Sequence, residues 1–226
     1  MLVRERMTAN PVIIHPDTTF EDALRLVREK KVRRLPVVDK QGRLVGIVAE
    51  RDLLYASPSP ATSLSVFEIH YLLSKLQVRD LMTKRVIAVG EDCPLEDAAC
   101  IMVEHKIGSL PVLRGDQLVG IITETDIFRT MAQALGESVQ CLRVMVRVPD
   151  AKGQLAKLAS EVARLGGDIR SLVTMVGVES KQGEITMKVA GVQRDDLVSA
   201  LEKAGVQIVD VREINAPCQP RLISSH

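Results

Sequence analysis

One segment of this chain is written twice. The first copy reads Met7-Thr8, Glu21-Asp22-Ala23, Leu35-Pro36-Val37 and Leu44-Val45-Gly46-Ile47-Val48, ending at Asp52. The second reads Met82-Thr83, Glu96-Asp97-Ala98, Leu110-Pro111-Val112 and Leu118-Val119-Gly120-Ile121-Ile122-Thr123, ending at Asp126. Early landmarks are 75 positions apart (Met7 to Met82, Leu35 to Leu110) and the last are 74 apart (Gly46 to Gly120). Register agreement of this kind, with different residues between the landmarks, means that one supersecondary unit was duplicated. Such units bury their apolar faces against each other. Duplication also creates two related clefts at the joint, and these are the natural places for a site.

Residues 1–56 and 78–134 form the two copies, each patterned strand, helix, strand, strand, helix. In the first, Val12 to Ile14 is a short apolar run and Thr18-x-x-Glu21 is a capping-box signature. Phe20, Ala23, Leu24 and Val27 then recur at helical spacing. Leu35 to Val38 and Leu44 to Val48 are strand-like runs separated by Asp39-Lys40-Gln41-Gly42, a hairpin signal. The second hairpin turn, Arg114-Gly115-Asp116, is one residue shorter, which accounts for the changed offset.

Residues 57–77 link the copies. Ser57-Pro58-Ser59-Pro60 breaks the chain, then Ser65-x-x-Glu68 caps a helix with Ile69, Leu72, Leu73 and Leu76 on one face. Packing of that face on its own repeat is the favoured expectation over a partner-binding helix. From residue 140 to 214 the pattern changes. Leu142, Val144, Val146 and Val148 alternate as a half-buried strand, and Leu155, Leu158, Val162 and Leu165 share a helical face ended by Gly166-Gly167. Strand runs at 169–178 and 184–190, broken by Ser180-Lys181-Gln182-Gly183, precede a helix at 194–204 and a strand at 206–211. This is the βαββαβ order of ferredoxin-like units. Residues 215–226, with Pro217 and Pro220, read as a disordered tail.

The totals limit the function classes. A chain of 226 residues with 46% hydrophobic and 26% charged residues has material for two ordinary cores. A net charge of +1 gives no global field for nucleic acid or anionic membrane. Five aromatic residues and no tryptophan argue against a base-stacking platform. Cys93, Cys100, Cys141 and Cys218 are far apart and read as reduced thiols, and the scattered histidines offer no metal constellation. With no membrane-length apolar run and no signal segment, the expected class is a soluble cytoplasmic protein.

The duplicated motif, with its Met-Thr, Leu-Pro-Val and Gly-h-h-Thr-x-x-Asp ending (h, hydrophobic), resembles a pair of CBS domains, the Bateman module. That resemblance implies an α+β pair of units packed side by side, with AMP, ATP or S-adenosylmethionine bound between them. It assigns the ribose-binding acid to Asp126 and the phosphate-contacting hydroxyl to Thr123. The first copy keeps Asp52 but has Ala49 in place of the hydroxyl, with Arg33, Arg34 and Arg51 available for phosphate. Ile13 and Ile87 complete the implied nucleotide-binding set. The chemistry is sound on its own terms, because a carboxylate can accept both hydrogens of a cis-diol. Asp126 can equally serve as the cap of a helix starting at Ile127, and the two roles are compatible.

The third segment resembles an ACT domain. The matching loop is Val148-Pro149-Asp150-Ala151-Lys152-Gly153-Gln154-Leu155, with Lys152 in place of the family's proline and Asp168-Ile169 where Asn-Ile is common. The resemblance implies an amino acid or other small effector held by Asp150, Gly153, Gln154, Leu155 and Asp168. Gly153 is equally explained by the turn alone. A CBS pair followed by an ACT unit looks like acetoin utilization proteins of the AcuB type. That implies a homodimeric, non-catalytic regulator that takes an adenine nucleotide, needs no cofactor or metal, and acts through an unidentified protein partner. A dimeric scaffold or transcription-linked regulator without a nucleotide is the alternative. An enzyme is disfavoured, since His15, His70 and His105 stand alone, and Glu21-Asp22 and Glu96-Asp97 fit compensation of a helix dipole. Duplex DNA is the weakest partner class: Lys30-Lys31-Val32-Arg33-Arg34 is short and no helix-turn-helix appears.

Overall fold

A computed structural model of the chain describes residues 1–57, 65–136, 140–176 and 182–215. They form two compact units, Met1–Phe128 and Arg129–His226. The first opens with a 3₁₀ turn at Val3–Glu5 and continues β1 (Thr8–Ala9), α1 (Phe20–Lys30), β2 (Arg34–Val38), β3 (Leu44–Ala49) and α2 (Glu50–Ala56). After α3 (Val66–Lys75) and α4 (Val78–Leu81), the second copy repeats the order with β4 (Val89–Gly90), α5 (Leu95–His105), β5 (Ser109–Arg114), β6 (Gln117–Thr123) and α6 (Glu124–Ala134).

Both repeats are built alike, but neither is built from its own residues alone. The segment opening the first copy pairs with the second: Thr8 lies opposite Ile121 and Ala9 opposite Gly120. The segment opening the second copy pairs with the first, with mutual backbone bonds between Ile47 and Thr83 of 3.1 and 2.9 Å. The cores follow the exchange. Val3, fully buried, joins Leu95, Met102, Leu110 and Ile122, while its counterpart Val78, also fully buried, joins Phe20, Val27, Leu35 and Leu53. Each hydrophobic core therefore closes only when the other repeat supplies its opening segment.

Gly46 and Gly120 make the exchange possible. A Cβ at Gly46 would lie 2.5 Å from Met82 Sδ and 3.2 Å from the Thr83 carbonyl oxygen. A Cβ at Gly120 would overlap Met7 Sδ in the same way. The glycine is needed here for close approach of the swapped strand, not for an unusual φ.

Local chemistry departs from the sequence reading in a few places. Thr19, not Thr18, caps α1, accepting from Asp22 N at 3.1 Å, whereas Thr18 Oγ1 accepts from His15 N at 3.1 Å. The run at Val12–Ile14 contributes one bridge, Ile14 to Val37, and no strand; its counterpart in the second copy pairs Val89 with Val112. The first hairpin turn is as expected, with Asp39 Oδ1 accepting from Gln41 N and Arg43 N at 2.9 Å each. Ser65 and Glu68 form the expected capping box on α3, with Glu68 Oε2 accepting from Ser65 N at 2.8 Å. Of the predicted stripe, Leu73 and Leu76 pack on the first repeat's core, but Leu72 is exposed. The chain break at 58–60 lies outside the described residues.

The second unit contains β7 (Cys141–Pro149), α7 (Gln154–Arg164), β8 (Asp168–Val176), β9 (Gln182–Ala190), α8 (Arg194–Lys203) and β10 (Gln207–Ile214). Its sheet runs β10-β7-β9-β8 with every neighbour antiparallel, the ferredoxin-like topology. Alternation on β7 decides its faces: Leu142, Val144, Val146 and Val148 are buried with Leu158, Val162, Leu197 and Leu201 of the two helices. Gln182 and Gly183, read as part of a turn, belong to β9, and the rest of that turn and the tail beyond Asn215 lie outside the described residues.

Gly46→Ala is expected to destabilise the first unit by ~1–3 kcal/mol, the usual range for overpacking. Because one obstructing group is a flexible thioether, adding Met82→Ala should recover part of the loss. Urea unfolding of the single and double variants checks this, and strict additivity would show that the contact does not limit the approach.

Candidate functional site

At the end of each hairpin the backbone makes the same construction. Arg34 lies opposite Ala49 on β2 and β3, and Ser109 lies opposite Thr123 on β5 and β6. The first residue of each following helix then closes back: Glu50 N donates to Arg33 O at 2.8 Å and Glu124 N donates to Gly108 O at 3.2 Å. Asp52 and Asp126 follow on the first turn of α2 and α6.

The second copy completes a reciprocal cap. Asp126 Oδ2 accepts from Thr123 N at 3.0 Å and from Thr123 Oγ1 at 2.6 Å, while Asp126 N donates to Thr123 Oγ1 at 3.3 Å. The helix thus begins at Glu124 rather than Ile127, and Thr123 is its cap with Asp126 as the answering acid. In the first copy only half survives. Asp52 Oδ2 accepts from Ala49 N at 3.1 Å, but Ala49 has no oxygen to return the bond. The cap constrains the chemistry of Thr123. One hydroxyl has one proton, here given to Asp126, so contact with a phosphate requires that proton to turn toward the ligand.

Both constructions face one cleft of about 880 Å³. Thr123, Asp126, Asp52, Arg51, Arg33, Arg34 and Ile87 all line it. Ile13 does not: it is 44% exposed, and Val12, which stands 75 positions before Ile87, takes the lining place. The alternation of that short run puts neighbouring side chains on opposite faces. Arg34 ties the halves together, donating from Nη1 to Gly108 O at 3.1 Å. Burial is the main influence holding its guanidinium below the ordinary arginine value; Glu124 opposes this, Arg33 and Arg51 add to it, and Asp52 opposes it. Arginine stays charged through such a change.

Sequence reasoning missed Lys106 and Arg85 in the lining and had Lys31 only as part of the Lys30–Arg34 basic cluster, read as a solvated face or a phosphate contact in the cleft. A signal existed for the lysines, which recur at the 75 offset and both end a helix in the left-handed region, with φ of 52° and 54°. None existed for Arg85, which is brought to the cleft by the strand exchange.

The five residues expected to hold an effector in the second unit are placed as follows. Gly153 precedes α7 with φ of +89°, and a Cβ there would meet nothing within 4 Å, so the backbone turn alone requires glycine. Asp150 is exposed, Gln154 is partly buried, Leu155 is 45% exposed, and exposed Asp168 pairs with Arg170 at 3.1 Å. None of the five lines the 880 Å³ cleft. Among the described residues no group of three or more His, Cys, Asp and Glu could hold a metal ion, and no helix is long and apolar enough to cross a membrane.

Replacing Thr123 with Val should remove both bonds of the Thr123 hydroxyl, leaving only the backbone bond to Asp126, and cost ~0.5–2 kcal/mol in urea unfolding. Ala49→Thr should move stability the other way by completing the cap on α2. No change in either variant would mean that the caps are not stabilising.

Comparison with known proteins places the first unit. The family model described as CBS domain matches residues 3–59 and 78–133. The chain is 32% identical over 154 residues to an uncharacterized protein of Methanocaldococcus jannaschii, a match covering 58% of this chain and 91% of the relative. It is 38% identical over 139 residues to the chloroplastic CBS domain-containing protein CBSX1 of Arabidopsis thaliana, covering 54% of this chain and 59% of that protein's length. Among solved structures, the CBS domain pair of protein MJ0100 in complex with 5′-methylthioadenosine and S-adenosyl-L-methionine aligns with a TM-score of 0.50 at 27% identity. That alignment covers 59% of this chain and 97% of the other. The exchanged segments, the paired Gly-h-h endings and these matches agree: the chain belongs to the CBS-domain family, with two CBS domains in tandem.

Proposed function

We propose that the protein is a non-catalytic regulatory sensor that binds an adenine nucleotide in the cleft between its CBS repeats. The observation that carries this reading is the convergence of the Thr123–Asp126 pair with Arg33, Arg34 and Arg51 on one cleft. A volume of 880 Å³ lies within the usual span for small-ligand sites. The solved CBS pair that holds 5′-methylthioadenosine and S-adenosyl-L-methionine supports an adenosine-containing ligand.

In this reading Asp126 accepts from the ribose hydroxyls. A carboxylate has about four acceptor sites, so serving the α6 cap through Oδ2 does not prevent it. Thr123 turns its proton from Asp126 to the phosphate, and the arginines give the cleft as a whole a positive field that favours phosphate. Cellular nucleotide sensing requires micromolar to millimolar affinity, ~−8 to −4 kcal/mol. The ligand changes the protein only as far as it prefers one arrangement of the repeats, and Arg34 is placed to feel that change through its bond to Gly108.

The ferredoxin-like unit is proposed to be an ACT domain, taking a small effector at the Asp150–Leu155 loop or serving as a homodimer surface. Its order after a CBS pair supports a cytoplasmic role in an acetoin-utilization-type pathway, exerted on a partner protein.

Calorimetric titration with AMP, ADP, ATP, S-adenosylmethionine and NADH tests the central reading. Asp126→Asn retains an oxygen for the cap and removes the charge, and is expected to weaken AMP ~10-fold to ~100-fold. Unchanged affinity in that variant, or no binding at millimolar nucleotide, would leave the alternative of a scaffold without a nucleotide ligand.

A further inference from the structure

The two halves of the cleft share a backbone plan but not a charge. Aligning the copies sets Arg33 against Gly108, Arg34 against Ser109 and Arg51 against Thr125. The strand exchange adds a fourth difference. Arg85 follows Thr83, which is bonded to Ile47 of the first repeat, and its counterpart Asn10 donates from its backbone N to Val119 O of the second at 3.2 Å. All eight of these residues line the cleft, Arg33, Arg34, Arg51 and Arg85 on one side of the comparison and Gly108, Ser109, Thr125 and Asn10 on the other. The acids do not offset the difference, because Glu50 and Asp52 are matched in the other half by Glu124 and Asp126, and Lys31 is matched by Lys106.

Pairing separates these arginines from several others in the chain. Arg43 is held by Asp39, Arg114 by Glu91 and Arg147 by Glu184, at 2.8, 2.5 and 2.7 Å. Arg33, Arg51 and Arg85 are exposed, and among the described residues none of them has a carboxylate partner within ion-pair distance. Three unpaired guanidinium groups around one wall repel each other unless an anion joins them. The loss of a hydroxyl at Ala49 fits the same picture: this half has exchanged a single neutral donor for planar, charged, bidentate ones.

We infer that the cleft holds two unlike subsites, and that the half lined by Arg33, Arg34, Arg51 and Arg85 selects a chain of two or more phosphates. The half around Thr123 and Asp126 takes the less charged, ribose-anchored ligand. This deepens the nucleotide reading and rests on it for the adenosine part, but the polyphosphate preference can be tested alone.

The experiment is calorimetric titration of the full chain with AMP, ATP and inorganic tripolyphosphate, using wild type, Arg51→Thr, Arg85→Asn and Asp126→Asn. The first two variants install the residue of the opposite half at exposed positions. Each should weaken ATP and tripolyphosphate about tenfold or more, the size of one lost charge-assisted contact, while AMP changes less than about threefold. Asp126→Asn should do the reverse. Thr125→Arg provides a gain-of-function check and should tighten tripolyphosphate. Failure of tripolyphosphate to bind wild type at millimolar concentration, or an equal loss of AMP and ATP in Arg51→Thr, overturns the two-subsite inference even where AMP binds through Asp126. Arginine-dependent binding of tripolyphosphate with no binding of AMP or ATP would instead overturn the nucleotide reading and leave the polyanion subsite standing.

Discussion

A methionine thioether lying against a glycine of the opposite repeat is the contact on which the first unit turns. Met7 meets Gly120 and Met82 meets Gly46, so each opening segment can lie on the other repeat's sheet. Val3 and Val78 then enter the opposite cores. A side chain at either glycine would hold the strand away, and the core behind it would lose its closing residue. Close packing of this kind has few intermediate states, since interiors tolerate little mismatch. The same exchange brings both hairpin ends to one cleft, so the site is a consequence of how the cores close.

Within the cleft, stability and the proposed binding use the same atoms. Thr123 and Asp126 satisfy the start of α6 and also present a hydroxyl and a carboxylate to the cleft. In the proposed reading, a proton given to Asp126 is redirected when a phosphate arrives, which would link ligand entry to the helix start. Arg34 provides a second link, because its bond to Gly108 O joins β2 of one repeat to the loop before β5 of the other. A site assembled from such bonds is suited to report occupancy through small changes in packing.

Much of the architecture was legible in the chain, and the reasons are local. Alternation from Leu142 to Val148 fixes which face of β7 is buried, and the burial follows it residue by residue. The capping signal at Ser65 and the turn at Asp39 also hold, because both depend on groups within four residues of each other. Two of the misreadings are one-residue choices between chemically similar neighbours. Thr19 caps α1 in place of Thr18, and Val12 lines the cleft in place of Ile13. Neighbouring threonines or β-branched residues look alike in sequence, and the backbone direction entering the helix or sheet selects between them.

The sequence by itself determined the duplication, the order of the longer helices and strands in both units, and the types of residue at each hairpin end, since these follow from periodicity and short-range hydrogen bonding. Tertiary structure alone decided that each repeat's opening segment belongs to its partner's core. It also decided that Arg85 joins the arginines of the first copy, and that Arg34 spans to Gly108. Those outcomes depend on contacts between residues far apart in the chain, 36 positions for Ile47 and Thr83 and 74 for Arg34 and Gly108. No local pattern encodes them, because exchange and self-pairing of identical motifs satisfy the same backbone bonds and differ only in which core is filled.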